Sequence, residues 1–345
     1  MIHLYRDDRF LDHDAGPGHP EQPERLRAVH ASLDEQPILG VERVAPREAT
    51  DEELFRVHTK DHVRTIRETE GEARVGLDPD TSTGPHSARA ALLAAGGVVD
   101  AVDGVLSDRS RGAFVLCRPP GHHAERDAAM GFCLFNNVAV GAAHAVARGC
   151  RRVLVIDPDV HHGNGTQHSF YDRSDILFAS SHRYPFYPGT GWFDEVGSGE
   201  GQGFTINLPL SPLLGDDAFL FLFEQVLGPI VDEYRPELVL VSAGFDTWHD
   251  DPLGMMAMTE AGYLRLFALF QSWADRHCQG RMVCTLEGGY DPVGVVAGVR
   301  SALGAMGREP LDNEALPSTQ APEARVTAIA DNARSAFREY WPSLR

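Results

Sequence analysis

Residues 156–166 read IDPDVHHGNGT, and they follow directly on the apolar run RVLV (152–155). Carboxylates and imidazoles at the end of a buried strand are costly unless they are paired or hold a cation. In extended backbone, residues two apart share a face. Asp157, Asp159 and His161 are therefore expected to point one way and His162 the other. An Asp-x-His spacing offers a carboxylate oxygen and an imidazole nitrogen to one metal ion. Catalytic zinc takes three protein ligands and keeps one position open. The third ligand is expected at another strand end, and Asp246 in LVSAGFDTWHDDP (240–252) follows an apolar run and a small-residue turn. Two carboxylates would also offset the charge of a dication.

A second pair of histidines lies in RPPGHHAERDAAMGF (118–132). His122 and His123 follow a rigid Pro-Pro-Gly turn. Histidine titrates near neutrality, which suits general base and general acid roles beside an activated water. Such rings need partners on their far nitrogens, and Asp157 and Asn164 are the polar groups left over for this. A third element is LEGGYDP (286–292), where two glycines permit a sharp turn that projects Tyr290. A tyrosine hydroxyl there can donate to a developing oxyanion.

These segments must be carried by a scaffold. β-Branched runs at 113–117, 152–157, 175–180, 204–208, 237–242 and 281–287 read as strands. Several are continuously apolar, as in a parallel sheet covered on both faces. Helical patterns fall at about 85–105, 134–148, 215–233, 259–277 and 291–304. The alternation predicts a single α/β domain over 1–345, a mostly parallel sheet with helices on both faces. The polar, Pro-containing stretch 307–324 is expected to be a loop leading to a last helix near 323–339, both packed on the domain. In such folds sites form at the carboxyl ends of strands, where all three motifs fall.

Composition narrows the function. The 345 residues carry a formal net charge of −19, and Lys60 is the only lysine. So acidic a chain is not expected to grip a nucleic-acid backbone, while a cationic substrate would be attracted. No apolar stretch is long enough for a membrane span, and no signal peptide opens the chain, so a cytoplasmic location is expected. The five cysteines are scattered, which speaks against disulfides and a cysteine-based zinc finger.

Taken together, GHPEQPERL (18–26), RPPGHHA (118–124), GFCLFNN (131–137), IDPDVHHGNGTQ (156–167), YPFYPGTG (184–191), SAGFD with DDPLG (242–254) and LEGGYD (286–291) resemble the zinc-dependent histone deacetylase family, in that family's order and over nearly the whole chain. The pattern is closer to class II and bacterial deacetylase-like amidohydrolases than to class I. The resemblance implies the arginase/deacetylase fold. It implies Asp159, His161 and Asp246 as ligands of one Zn2+, a set that also suits iron. His122 and His123 match the tandem catalytic histidines, oriented by Asp157 and Asn164, and Tyr290 matches the transition-state tyrosine. A structural K+ is implied at Asp157, Asp159, His161, Ser180 and Ser181, and a second at Phe170, Arg173, Ile176 and Phe204. Gly131, Phe132 and Tyr187, with Gly288 and Gly289, match the acyl-lysine tunnel, and Leu253 matches its rim. Arg25 matches an internal-channel arginine, and Asp78 or Asp80 a substrate-backbone aspartate.

The implied reaction is hydrolysis of an acyl-lysine amide to acetate and a free amine. His123 is the general base, His122 tunes charge, and Tyr290 supports the oxyanion. The implied partners are acylated proteins or peptides, or acetylpolyamines, and a homo-oligomer is compatible. Dimanganese ureohydrolases share the fold but need extra carboxylates, and Gly163 and Gly244 stand at those positions. Polyamine-selective relatives carry a gatekeeper glutamate where Leu253 stands. A non-catalytic acyl-lysine binding protein would be expected to lack a ligand or the tyrosine, and all are present.

Overall fold

A computed structural model describes residues 1–307 and 323–345. In chain order the strands are β1 (Ile2–Tyr5), β2 (Val41–Val44), β3 (Val75–Gly76), β4 (Ser82–Thr83), β5 (Gly112–Val115), β6 (Val153–Asp157), β7 (Ile176–Arg183), β8 (Thr205–Leu210), β9 (Leu238–Ala243) and β10 (Met282–Leu286). β3 and β4 form a small antiparallel pair. The other eight form one sheet in the order β2-β1-β5-β10-β9-β6-β7-β8. Every neighbouring pair in it is parallel. β6, β9 and β10 are buried at every position. That burial on both faces is why their sequences are unbroken apolar runs rather than alternating ones.

Helices flank the sheet in two groups. Ser87–Leu106 packs with Asn137–Ala147, while Glu260–Cys278 packs with Pro292–Gly307, which in turn meets Glu24–Glu35. The strands expected from sequence are all present, with β7 and β8 running further than predicted. β1 and β2 were not legible: IHLY is short, and VERV is an edge strand with two exposed charged positions. The helices Glu24–Glu35, Lys60–Glu68 and Asn164–Phe170 were also not anticipated. The helix expected over 215–233 is broken into Asp216–Leu222, a wide π turn at Phe223–Leu227, and Gly228–Tyr234. Pro229 lacks the N–H that would continue the regular ladder.

Most of the loop expected at 307–324 lies outside the described residues. The helix after it runs Ala324–Phe337 and lies against β8. Trp341 Nε1 then donates to Gly203 O at 2.8 Å, which ties the C-terminal segment to that edge. Among the described residues no helix is long and apolar enough to cross a membrane.

Four adjacent strands, β5, β10, β9 and β6, end beside one another, and their following loops carry RPPGHH, LEGGY, SAGFD and DPDVHH. His58 braces the first of these loops from behind. Its Nδ1 donates to Glu125 O at 2.9 Å, and its Nε2 accepts from Asn136 N at 2.9 Å. Burial drives the His58 ring down to about 3, with the neighbouring His62 adding to the effect. The folded value lies below the ordinary 6.5, so the unfolded chain binds the extra proton. The stability this neutral ring supplies is complete above pH 6.5 and is lost as pH falls toward about 3. Each unit of fall costs about 1.4 kcal/mol per proton. Replacing His58 by Gln is expected to lower stability at pH 8 and to flatten the pH dependence between pH 6 and about 4 by close to one proton. Chemical denaturation across that range reads both, and an unchanged slope would mean that His58 is already charged in the folded protein.

Candidate active site

The extended run ends at Asp157, so strand alternation does not order the residues after it, contrary to the sequence expectation. Side-chain to backbone hydrogen bonds do so instead. Asp157 Oδ1 accepts from Asp159 N at 3.2 Å, and Asp159 Oδ1 accepts from His161 N at 2.9 Å. Each aspartate thus bends the chain around its own carboxylate. Asp246 arrives from the loop after β9 and accepts from Val160 N at 2.8 Å. Gly288, after β10, donates to Asp159 Oδ2 at 2.9 Å.

The result is a buried cluster of Asp159, His161 and Asp246 whose ligand atoms all lie within 4.8 Å of one another. His161 Nδ1 stands 3.2 Å from Asp159 Oδ1 and 3.1 Å from Asp246 Oδ2. Burial opposes charge on this ring, but the two carboxylates hold it at about 9. Burial and the charge of Asp159 push Asp246 up to about 7. The cluster therefore attracts positive charge, and one nitrogen with two carboxylates fits a borderline divalent ion. These are the three residues whose spacing pointed to a metal site, and Asp157 stands outside the trio, paired with His122. His162 does point away, to Thr190 Oγ1 at 2.7 Å and Gln167 Oε1 at 3.0 Å.

The neighbouring glycine positions leave no room for a further protein ligand. A Cβ on Gly244 would collide with the carboxylate of Asp159, and one on Gly163 with that of Asp157. Gly288 is equally constrained, by Asp246 and Asp159 together. The carboxylates needed for a second metal cannot be added at those two positions without moving the first set.

The tandem histidines sit beside the cluster with rings 4.0 Å apart. His122 Nδ1 meets Asp157 Oδ2 at 2.9 Å, and its Nε2 lies 3.9 Å from Asp159 Oδ2. His123 Nδ1 meets Asn164 Oδ1 at 2.7 Å. The orientation of that amide is set by its neighbours: Asn164 Nδ2 donates to Glu125 Oε1 and to His123 O. The oxygen must then face His123, so His123 Nδ1 carries the hydrogen and Nε2 has its lone pair free. Burial works against charge on His122, but Asp157 and Asp159 outweigh it and hold the ring well above 6.5. Burial and the His122 charge drive His123 well below 6.5. The two adjacent rings are thus shifted in opposite directions.

Tyr290 follows Gly288 and Gly289, the latter at φ +113° where glycine alone is unstrained. Its ring meets Phe132 edge-on at 5.9 Å. Arg25 lies 5.1 Å from its centroid and donates to Gly289 O and Glu287 O. Tyr187 packs edge-on against His123 at 5.1 Å and lies 6.2 Å from His161. Phe132 itself is at φ +69°, an uncommon value for an aromatic residue. Asp80 Oδ1 accepts from Gly131 N at 3.1 Å, and Thr81 Oγ1 accepts from Phe132 N at 2.9 Å, which hold that turn. Asp78 stands one step back, accepting from Asp80 N at 2.8 Å.

Ser180 pairs in register with Asp157 across β6 and β7. Of the second set, Phe170 O accepts from Arg173 N at 3.0 Å, Ile176 opens β7, and Phe204 O accepts from Phe178 N of that strand at 2.9 Å. Leu253 is on the loop beyond Asp246, beside Gly254, whose carbonyl accepts from Arg183 at 3.3 Å.

Sequence reasoning missed several supports. Glu125 orients the Asn164 amide. Glu287, fully buried and pushed up to about 7 by burial, accepts from Gly121 N at 2.6 Å and His122 N at 3.1 Å. Glu21 ties Arg118 and Arg25 together inside the core, with Glu21 Oε2 2.7 Å from Arg118 and Oε1 3.0 Å from Arg25. Asp251 belongs to the same class.

Comparison with known proteins agrees with this geometry. Residues 19–306 match the profile of the histone deacetylase domain. A "Probable deacetylase" of Archaeoglobus fulgidus is 38% identical over 294 residues, covering 84% of this chain and 81% of that protein. Human "Polyamine deacetylase HDAC10" is 39% identical over 344 residues, covering 94% of this chain but only 50% of its own length. The crystal structure of the HDA15 HD domain superposes with a TM-score of 0.90 at 38% identity, covering 99% of this chain and 97% of that one. The sheet order, the Asp159–His161–Asp246 cluster and these matches converge on one assignment: the chain belongs to the histone deacetylase family, whose fold is the arginase/deacetylase α/β fold and whose members are deacetylating hydrolases.

Proposed function

We propose that this protein removes acetyl, or another acyl group, from lysine side chains of proteins or peptides. The observation that carries this reading is the tandem pair His122 and His123, backed by Asp157 and Asn164, beside the Asp159–His161–Asp246 cluster. We assign Zn2+ to that cluster, supported by its one-nitrogen, two-carboxylate donor set. When bound there, zinc supplies Lewis-acid activation of a water and of an amide carbonyl.

The chain's own groups do the rest. His123, neutral with Nε2 free, takes the proton of the attacking water. His122, kept charged by Asp157, supplies positive charge beside the developing oxyanion. The Tyr290 hydroxyl donates to that oxyanion, and a protonated histidine returns a proton to the leaving amine. Gly131, Phe132, Tyr187 and Leu253, with Gly288 and Gly289, bound the path of the acyl-lysine arm, and Asp80, next to Gly131, is the better placed of the two aspartates to hold the substrate backbone. A structural K+ at Asp157, Asp159, His161, Ser180 and Ser181 is supported by the Ser181 hydroxyl, which is buried with no hydrogen-bond partner among the described residues. Phe170, Arg173, Ile176 and Phe204 remain the proposed second monovalent site.

Replacing Tyr290 by Phe is expected to lower kcat about 100- to 1,000-fold while elemental analysis shows the same metal content; unchanged turnover would remove its role. Zinc is expected to raise the melting temperature of the metal-free protein in proportion to its logarithmic concentration, and Asp246→Ala to abolish that rise. A panel of acetyl-lysine peptides, longer acyl-lysine peptides and acetylpolyamines, with and without a chelator, decides the substrate class by mass spectrometry. Chelator-sensitive acetate release from peptides is the expected result. Preference for acetylpolyamines would transfer the activity to small molecules.

A further inference from the structure

Asp251 is buried in the loop between the metal cluster and the proposed rim residue Leu253. Its carboxylate is divided between two segments. Oδ1 accepts from Leu253 N at 2.9 Å and Gly254 N at 3.1 Å. Oδ2 accepts from Tyr290 N at 2.7 Å and Asp291 N at 3.3 Å. A buried carboxylate is expensive, and backbone N–H groups on both oxygens are what offsets it here.

The segment on Oδ2 needs such a tie. Gly288 is anchored upstream, donating to Asp159 and accepting from Phe245 N at 3.0 Å. Between that anchor and Tyr290 stands Gly289 at φ +113°, a position of high backbone freedom. Fixing the Tyr290 amide on the far side of this joint limits where the hydroxyl can swing. The same carboxylate fixes the rim, so the mouth and the tyrosine are held in one register.

We propose that Asp251 is a positioning residue that sets Tyr290 against the tunnel rim. The proposal rests on the reading of Tyr290 as the oxyanion donor. Asparagine is the informative replacement. An amide has one oxygen, so its NH2 must face one of the two donor pairs, and it can hold only one segment.

The test is a double-mutant cycle on the zinc-loaded full chain with an acetyl-lysine peptide. Asp251→Asn is expected to lower kcat about 10- to 100-fold with zinc content unchanged. In a Tyr290→Phe background the same change is expected to cost less than about threefold, because the group it positions is already gone. A trifluoroacetyl-lysine peptide, whose electron-poor carbonyl depends less on a hydrogen-bond donor, is expected to lose less than the acetyl peptide. Equal losses in both backgrounds, or equal losses on both peptides, would overturn the proposal and leave Asp251 a general structural residue. Should Tyr290→Phe alone leave turnover intact, the reading of Tyr290 fails instead, and the cycle separates the two failures. If Asp251→Asn does not accumulate as folded protein, the cycle is run with Asp251→Glu, which keeps both oxygens but displaces them, and the same outcomes decide.

Discussion

Too much negative charge is buried at one end of the sheet, and the rest of the site is arranged around that excess. Asp157 at the end of β6, and Asp159, Asp246, Asp251 and Glu287 in the loops that follow β6, β9 and β10, are all buried. A carboxylate removed from water costs several kcal/mol unless it is compensated. These are compensated in three ways, and the difference sorts their roles. Asp157 keeps a proton on His122. Asp251 and Glu287 are held by backbone N–H groups of neighbouring loops. Asp159 and Asp246 receive N–H donors too, yet still draw a proton toward His161, which is the position of a group awaiting a cation.

A parallel sheet suits this requirement. All eight strands run the same way, so their carboxyl ends and the N–H groups of the following turns gather on one side. The turns must pass close to the carboxylates to donate to them, and that sets the glycines. Gly163, Gly244 and Gly288 lie where any Cβ would strike Asp157, Asp159 or Asp246. The same closeness limits the site to a single set of metal ligands. Electrostatic compensation and steric economy are one constraint seen twice.

The asymmetry of the two histidines follows from that field. His122 looks toward Asp157 and Asp159 and keeps its charge. His123, one residue on, looks toward a neutral amide whose orientation is locked by Glu125, and the charge of its neighbour helps to keep it neutral. Adjacent residues of identical type are thus shifted in opposite directions, because the far nitrogen of one ring meets a carboxylate and that of the other an amide.

Much of this was legible in the sequence because residue type and short spacing carry it. Asp-x-His after an apolar run, His-His after Pro-Pro-Gly, and Gly-Gly-Tyr after another run named the groups that meet at the site, and unbroken β-branched runs named a parallel sheet. The supporting carboxylates were not legible. Glu125, Glu287 and Asp251 act through contacts 39, 166 and 39 residues distant in the chain, and no local pattern marks a side chain whose partner is a remote backbone N–H. The short first strands and the end of β6 at Asp157 were decided likewise, by pairing and hydrogen bonding rather than by propensity. The sequence by itself determined which chemistry is present, because reactive residue types are scarce and their local spacing is constrained. Only the tertiary structure decided which oxygen faces which nitrogen, and hence which group holds charge, because fields and hydrogen bonds act through space and not along the chain.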